Sequence, residues 1–232
     1  MTDVEMISSI TVTPIRHLAE DRFVAEAARV STLAEVSALA AISRDNAGLI
    51  RSLLSGRHGS PFEHTFFTFR VQAPLFVMTE HLRHRIGWNY NGESGRYKTF
   101  DPVFYTPPAE RGVTQQGKAI AYDIQAGTDH QRHWVEQAIE VTSAAAYDRY
   151  EWLVNEKGIA REVARQVLPT NLMTTYYTSC NARSLMHFLG LRGEGTHALW
   201  EIQQVAKGYE ATLAEAMPDT YAAFVENGRV AP

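Results

Sequence analysis

The chain has 232 residues, 45% hydrophobic and 21% charged, enough apolar material for one sizeable core or two smaller ones. A formal net charge of -4 argues against a protein held on nucleic acid or a membrane by bulk positive charge, although a pocket for a small anion needs only a few arginines. The single cysteine, Cys180, excludes an internal disulfide framework and a cysteine-rich zinc site.

Residues Met1 to Ile10 include Asp3 and Glu5 and lack a basic flank or long apolar run, so no secretory signal is expected there. No apolar stretch is long enough to span a bilayer, and the cytoplasm is the expected compartment. From Pro14 to about Ala41 the abundance of Ala, Glu, Leu and Val predicts helix. Asn46 to Leu54 predicts a second helix, with Leu49, Ile50, Leu53 and Leu54 on one side and Gly56 as its stop. Thr65 to Gln72 alternates, Phe67, Phe69 and Val71 against Thr68, Arg70 and Gln72, which is the period of a half-buried strand. Pro74 suits the first turn of a helix running to about Arg85.

Asn89 to Gly95 reads as a polar loop and Lys98 to Tyr105 as extended. Residues 107–128, with Pro107-Pro108 and glycines at 112, 117 and 127, read as a long surface excursion and the expected mobile loop. A long helix is predicted over His130–Glu156 and a short one over Ala160–Leu168, stopped by Pro169. Leu172–Ser179, rich in Thr and Tyr, predicts a strand. Asn181 then caps a helix to about Leu191, and His197–Met217 forms the last long one. The expected fold is a helix-rich α/β (α+β) single domain over residues 1–232.

Polar chemistry concentrates in three places. Glu80, Arg83 and His84 would share one helix face, with Arg85, Asn89, Asn91, Glu93, Ser94 and Arg96 just beyond. Arg83 and Arg96 can grip a phosphate or flat heterocycle, and Ser94 with the N–H groups near Gly95 can add neutral donors. A solvated basic helix end explains the same run. Asn181-Ala182-Arg183-Ser184 opens a helix where an anion is favoured, and Arg183 shares a face with His187. A plain capped helix with a surface ion pair explains this too. His58, Ser60 and Glu63 lie on a turn before a strand, which is either a presented polar set or a simple connection. Nine histidines without an HExxH or Cys-pair pattern give no reason to expect a metal. Cys180 reads as structural, and no GxGxxG or Walker loop is present.

Taken in order, several segments resemble the flavin-dependent thymidylate synthases: Ala27-Ala28-Arg29-Val30-Ser31, Ser60-Pro61-Phe62-Glu63-His64, Arg83-His84-Arg85 with Ser94-Gly95-Arg96-Tyr97, Glu162 to Pro169, Asn181 to Met186, and His197 to Gln204. Two loops depart from the pattern. Eight residues, Ile86 to Glu93, separate Arg85 from Ser94 where the family has seven, so a bulge is expected with Glu93 taking the acidic position. The Gly193–Thr196 loop is also one residue longer than usual, and Glu80 stands where a Gln is common.

The resemblance implies a helix-rich subunit with a central mixed or antiparallel sheet, assembled as a homotetramer with shared active sites. It implies methylation of dUMP to dTMP, with methylenetetrahydrofolate as carbon donor and NADPH-reduced FAD as hydride source. By position His58, Ser60, Glu63, Arg83, His84, Arg85, Ile86, Asn181, Arg183, His187 and His197 would contact FAD. Glu80, Arg83, Glu93, Ser94, Gly95, Arg96, Arg165 and Arg192 would contact dUMP, with Arg192 catalytic. Two other readings stand beside this one. A nucleic-acid binder would use Arg83, Arg85 and Arg96, against the acidic balance of the chain; a flavoprotein that has lost synthase activity would keep the FAD set alone.

Overall fold

The computed structural model of the chain describes residues 2–30, 46–118 and 121–232. In chain order its strands are β1 (Glu5–Ile7), β2 (Thr11–Leu18), β3 (Phe66–Pro74), β4 (Trp88–Gly92), β5 (Val103–Tyr105), β6 (Thr114–Lys118), β7 (Ala121–Gln125) and β8 (Met173–Cys180). The α-helices are α1 (Asp21–Arg29), α2 (Asn46–Ser55), α3 (Leu75–His81), α4 (Asp129–Glu151), α5 (Arg161–Ala164), α6 (Ala182–Arg192), α7 (Trp200–Ala216) and α8 (Pro218–Glu226). The helix-rich α/β reading holds. Two compact units form, one from Met1–Ile10, Gln72–Thr79 and Gly92–Thr175, the other from Thr11–Val71, Glu80–Asn91 and Tyr176–Pro232. Their segments interleave, which is why composition marks no boundary.

In the second unit β2, β3, β8 and β4 lie side by side in that order. Phe67, Phe69 and Val71 are fully buried while Arg70 is exposed, as alternation predicts. Thr68 departs from that alternation and is buried too, its hydroxyl 3.1 Å from that of Ser179. In the same unit helices α2, α6 and α7 bury Ile50, Leu54, Leu185, Phe188, Leu189, Val205 and Tyr209. Asp21, the first residue of α1, caps another helix: its carboxylate accepts from the backbone N–H groups of Asp219 and Thr220, each at 2.9 Å, and from the Thr220 hydroxyl at 2.6 Å.

In the first unit β1 pairs in parallel with β5, Met6 opposite Phe104. The core holds Phe100, Phe104, Tyr147, Tyr150, Ala164 and Leu172. Helix α4 opens on a capping box between Thr128 and Gln131 and runs into a π-turn at Trp152–Glu156. No helix among the described residues is long and apolar enough to cross a membrane.

Several boundaries differ from the sequence expectations, each for a local reason. Pro14–Leu18 is strand, not helix, because Thr11, Val12, Thr13 and Ile15 are β-branched and β2 is an edge strand that tolerates Pro14. Helix begins only at Asp21, and the remainder of that expectation, residues 31–41, lies outside the described residues, as does Ser31. Helix α3 ends at His81 rather than Arg85, so Glu80, Arg83 and His84 do not share a helix face. The backbone N–H groups of Arg83 and His84 donate three residues back, to Glu80 and His81, tightening the last turn.

Asn89–Gly92 is strand rather than loop, with Trp88 buried and Asn89 exposed. Lys98 closes a turn onto the Ser94 carbonyl, so only Val103–Tyr105 of that stretch is extended. Residues 107–128 contain the antiparallel β6–β7 hairpin, whose root is tied down where the Arg132 guanidinium donates to the carbonyls of Pro108, Arg111 and Ala126. His197 precedes its helix instead of opening it: the Gln203 amide bonds back to the carbonyls of Thr196 and Ala198, and helix starts at Trp200. Pro218 opens the further helix α8 directly after Met217.

Replacing Asp21 with Ala leaves two helix-terminal N–H groups and a hydroxyl without their acceptor. Unfolding in urea should show a loss of about 2 kcal/mol; a loss under a few tenths would mean the cap carries no stability.

Candidate active site

In the second unit the histidine–arginine turn after α3 is held from two sides. The Tyr90 hydroxyl is shared between the carbonyls of His81 and His84, 2.9 Å from each, and so satisfies the end of α3. The Ser184 hydroxyl, in the first turn of α6, donates to the Ile86 carbonyl at 2.9 Å. Gly87, at φ +71°, completes the turn; a Cβ there would collide with the Ser184 Oγ. These contacts hold Arg83, Arg85 and Ile86 on the surface. Ile86 is 91% exposed, and neither arginine has an ion-pair partner among the described residues.

His84 turns inward against Phe188, with ring centroids 4.7 Å apart. Its Nε2 accepts a 3.2 Å hydrogen bond from Arg192 Nε, and Arg192 Nη1 pairs with Glu80 at 2.8 Å. Burial, then the charges of Arg192 and His187, lower the His84 pKa to about 4. It is therefore neutral near pH 7, with its proton on Nδ1 and its Nε2 lone pair turned to Arg192. Burial raises the Glu80 pKa, opposed by Arg192 and reinforced by Glu201. Behind them His81 is fully buried and uncharged, its Nδ1 3.0 Å from the Tyr176 hydroxyl.

Asn181 caps α6 as predicted, accepting from the Ser184 N–H at 2.9 Å. Arg183 and His187 lie on the exposed face of α6, opposite buried Leu185, Phe188 and Leu189. Arg183 is paired with Glu63 at 2.5 Å, which joins the loop of His58, Ser60 and Glu63 to the helix. His58, Ser60 and His197 are exposed.

The first unit brings together Glu93, Ser94, Gly95, Arg96 and Arg165. The Ser94 carbonyl accepts from the N–H groups of Tyr97 and Lys98, closing a turn, and buried Gly95 faces Phe100 and the Arg165 side chain. Arg96 pairs with Glu162 at 2.8 Å. Glu93 continues the pairing of β4 with β8: its N–H donates to the Thr175 carbonyl at 3.0 Å, and its carboxylate accepts from the Thr175 N–H at 3.3 Å. Lys98 holds the other carboxylate oxygen at 3.1 Å. The eight residues before Ser94 are thus a turn at Ile86–Gly87 followed by strand. Lys98, Tyr90 and Ser184 carry weight here that no spacing rule reveals, because each acts across a turn or between elements. Cys180 is buried and burial raises its thiol pKa, in keeping with a structural role.

The family model described as thymidylate synthase complementing protein matches residues 15–219. A flavin-dependent thymidylate synthase from Streptomyces coelicolor is 48% identical over 238 residues, spanning 99% of this chain and 96% of the relative. The chain belongs to the flavin-dependent thymidylate synthase family. One from Tropheryma whipplei is 46% identical over 237 residues, spanning 99% of this chain and 98% of that protein. A crystal structure of a UMP/dUMP methylase from Streptomyces cacaoi, bound with 5-Br UMP, superimposes with a TM-score of 0.92 at 39% identity, each chain covered completely. The ordered motif set is thus a family signature, and methyl transfer is the family's reaction class.

The depressed His84 pKa makes a signed prediction. Between the ordinary 6.5 and about 4 the unfolded chain takes up a proton at this position that the folded chain does not, so stability falls as pH drops through that window. An NMR titration should find His84 neutral down to about pH 4, and His84→Gln should flatten the stability profile over the same range. A midpoint near 6.5 would contradict the geometry.

Proposed function

We propose that this chain converts dUMP to dTMP, with methylenetetrahydrofolate as carbon donor and NADPH-reduced FAD as hydride source. The observation that carries the reading is the linked set Glu80–His84–Arg192 beside exposed Ile86 and the exposed Arg83 and Arg85, which have no ion-pair partner among the described residues. A guanidinium pair next to an exposed aliphatic side chain fits a cofactor that is anionic at its diphosphate and flat and apolar at its rings. His58, Ser60, Glu63, Asn181, Arg183, His187 and His197 complete the proposed FAD contacts. When bound, the flavin supplies hydride transfer, chemistry that protein side chains lack.

The chain's own residues bind and polarise. Arg192 would stabilise negative charge on the pyrimidine as N3–H ionises, a preorganised electrostatic role. Arg96 and Ser94 would hold the phosphate, with Arg165 and Gly95 at the base and Glu93 in the acidic position. Glu162 keeps the Arg96 guanidinium oriented until phosphate arrives. A homotetramer with active sites shared between copies, located in the cytoplasm, belongs to the same proposal, as does a single functional domain whose 107–128 hairpin moves. The Streptomyces cacaoi relative is named for both UMP and dUMP, which makes the ribose 2′ position the specificity question to ask of this chain.

Purified protein with FAD and NADPH should form dTMP from dUMP only when methylenetetrahydrofolate is added, with UMP offered in parallel. Arg192→Ala should keep FAD and lose turnover by about a hundredfold or more; unimpaired turnover would remove Arg192 from the reaction. Gly87→Ala should release the Arg85–Ile86 turn and weaken FAD retention by about tenfold or more, read from the flavin absorbance after gel filtration. Full retention would show that this turn does not hold the cofactor.

A further inference from the structure

Glu80 sits at the end of α3 where a carboxylate is an awkward companion for an anionic nucleotide. The structure turns it away from that conflict. Its carboxylate holds Arg192 Nη1 at 2.8 Å, while the His84 Nε2 accepts from Arg192 Nε at 3.2 Å. Two of the three guanidinium nitrogens are thereby committed, to two residues four apart at the end of α3 and on the turn after it, and Nη2 has no hydrogen-bond partner among the described residues. The pair is about three-quarters buried, with side-chain exposures of 26% and 22%, so the guanidinium is not free to swing as a surface arginine would be.

We infer that Glu80 is a positioning residue for this reaction: with His84 it fixes the plane of the Arg192 guanidinium so that Nη2 is presented to the pyrimidine. This rests on the dUMP reading above. Glu80 then acts through Arg192 and not by touching the nucleotide. The charged and titratable groups that face the pair are His81 at the end of α3, kept neutral by burial, His84 on the turn after it, His187 on α6 and Glu201 on α7. His84 is neutral near pH 7 and supplies a lone pair without a competing charge. Raised by burial, the Glu80 pKa brings protonation of the clamp closer to neutral pH than an exposed carboxylate would.

The test is calorimetric dUMP affinity of the FAD-loaded protein in five forms: unmodified, Glu80→Ala, Glu80→Gln, Arg192→Ala and the double variant Glu80→Ala/Arg192→Ala. Glu80→Ala should lose about tenfold, and the double variant should bind no worse than Arg192→Ala alone, because the two residues form one unit. Glu80→Gln keeps an acceptor oxygen without the charge. It should lose about threefold at neutral pH, and the difference from the unmodified protein should shrink on acidification as Glu80 itself takes a proton, which burial brings on at higher pH than for an exposed carboxylate. The comparison with unmodified protein cancels ionisation of the nucleotide phosphate. It also decides the matter if Glu80→Ala fails to fold. Additive losses, or a Glu80→Ala or Glu80→Gln protein that binds as tightly as the unmodified one, would overturn the inference while leaving the dUMP reading intact. No dUMP binding by the unmodified protein would overturn both.

Discussion

The candidate site depends on how α3 stops. A helix leaves its last carbonyls without partners, and here the Tyr90 hydroxyl, returning on β4, takes up those of His81 and His84. Together with the Ser184–Ile86 bond and the Gly87 turn, that contact holds the residues after the helix. As built, His84 is buried against Phe188 and bonded to Arg192, while Arg83, Arg85 and Ile86 stay exposed.

Burial sets the electrostatics of this region more than charge count does. His81, packed among Trp88, Tyr90, Tyr176, Phe188 and Tyr209, is kept neutral chiefly by loss of solvent. The same influence dominates His84 and Glu80. A neutral imidazole next to a guanidinium is an acceptor, and its partner is thereby aimed instead of repelled. The chain carries a net negative charge and still concentrates arginines at its motifs, which suits a small anionic ligand better than a polyanion.

In the first unit order comes from backbone more than from side chains. Glu93 is fixed by reciprocal bonds with Thr175, and the Ser94 turn is closed by two N–H groups on one carbonyl. The Glu93–Lys98 pair adds charge balance at an exposed position, where such a pair contributes little stability but keeps a carboxylate from facing an anion alone.

The sequence by itself determined the family, the helix-rich class and the residues that bear charge near the motifs. The Asn181 cap, the exposed Arg183–His187 face and the alternation of Phe67, Phe69 and Val71 were all legible, because each is a local pattern with a period or a position. Only the tertiary structure decided where α3 ends, that Asn89 lies in a strand, and that Glu80 meets Arg192 across 112 positions of chain. Those outcomes depend on partners far away in sequence: a tyrosine hydroxyl, a neighbouring strand and a guanidinium. Local propensity is a weak prior that such contacts override, and burial, which sets the pKa of His84, exists only once the chain has folded.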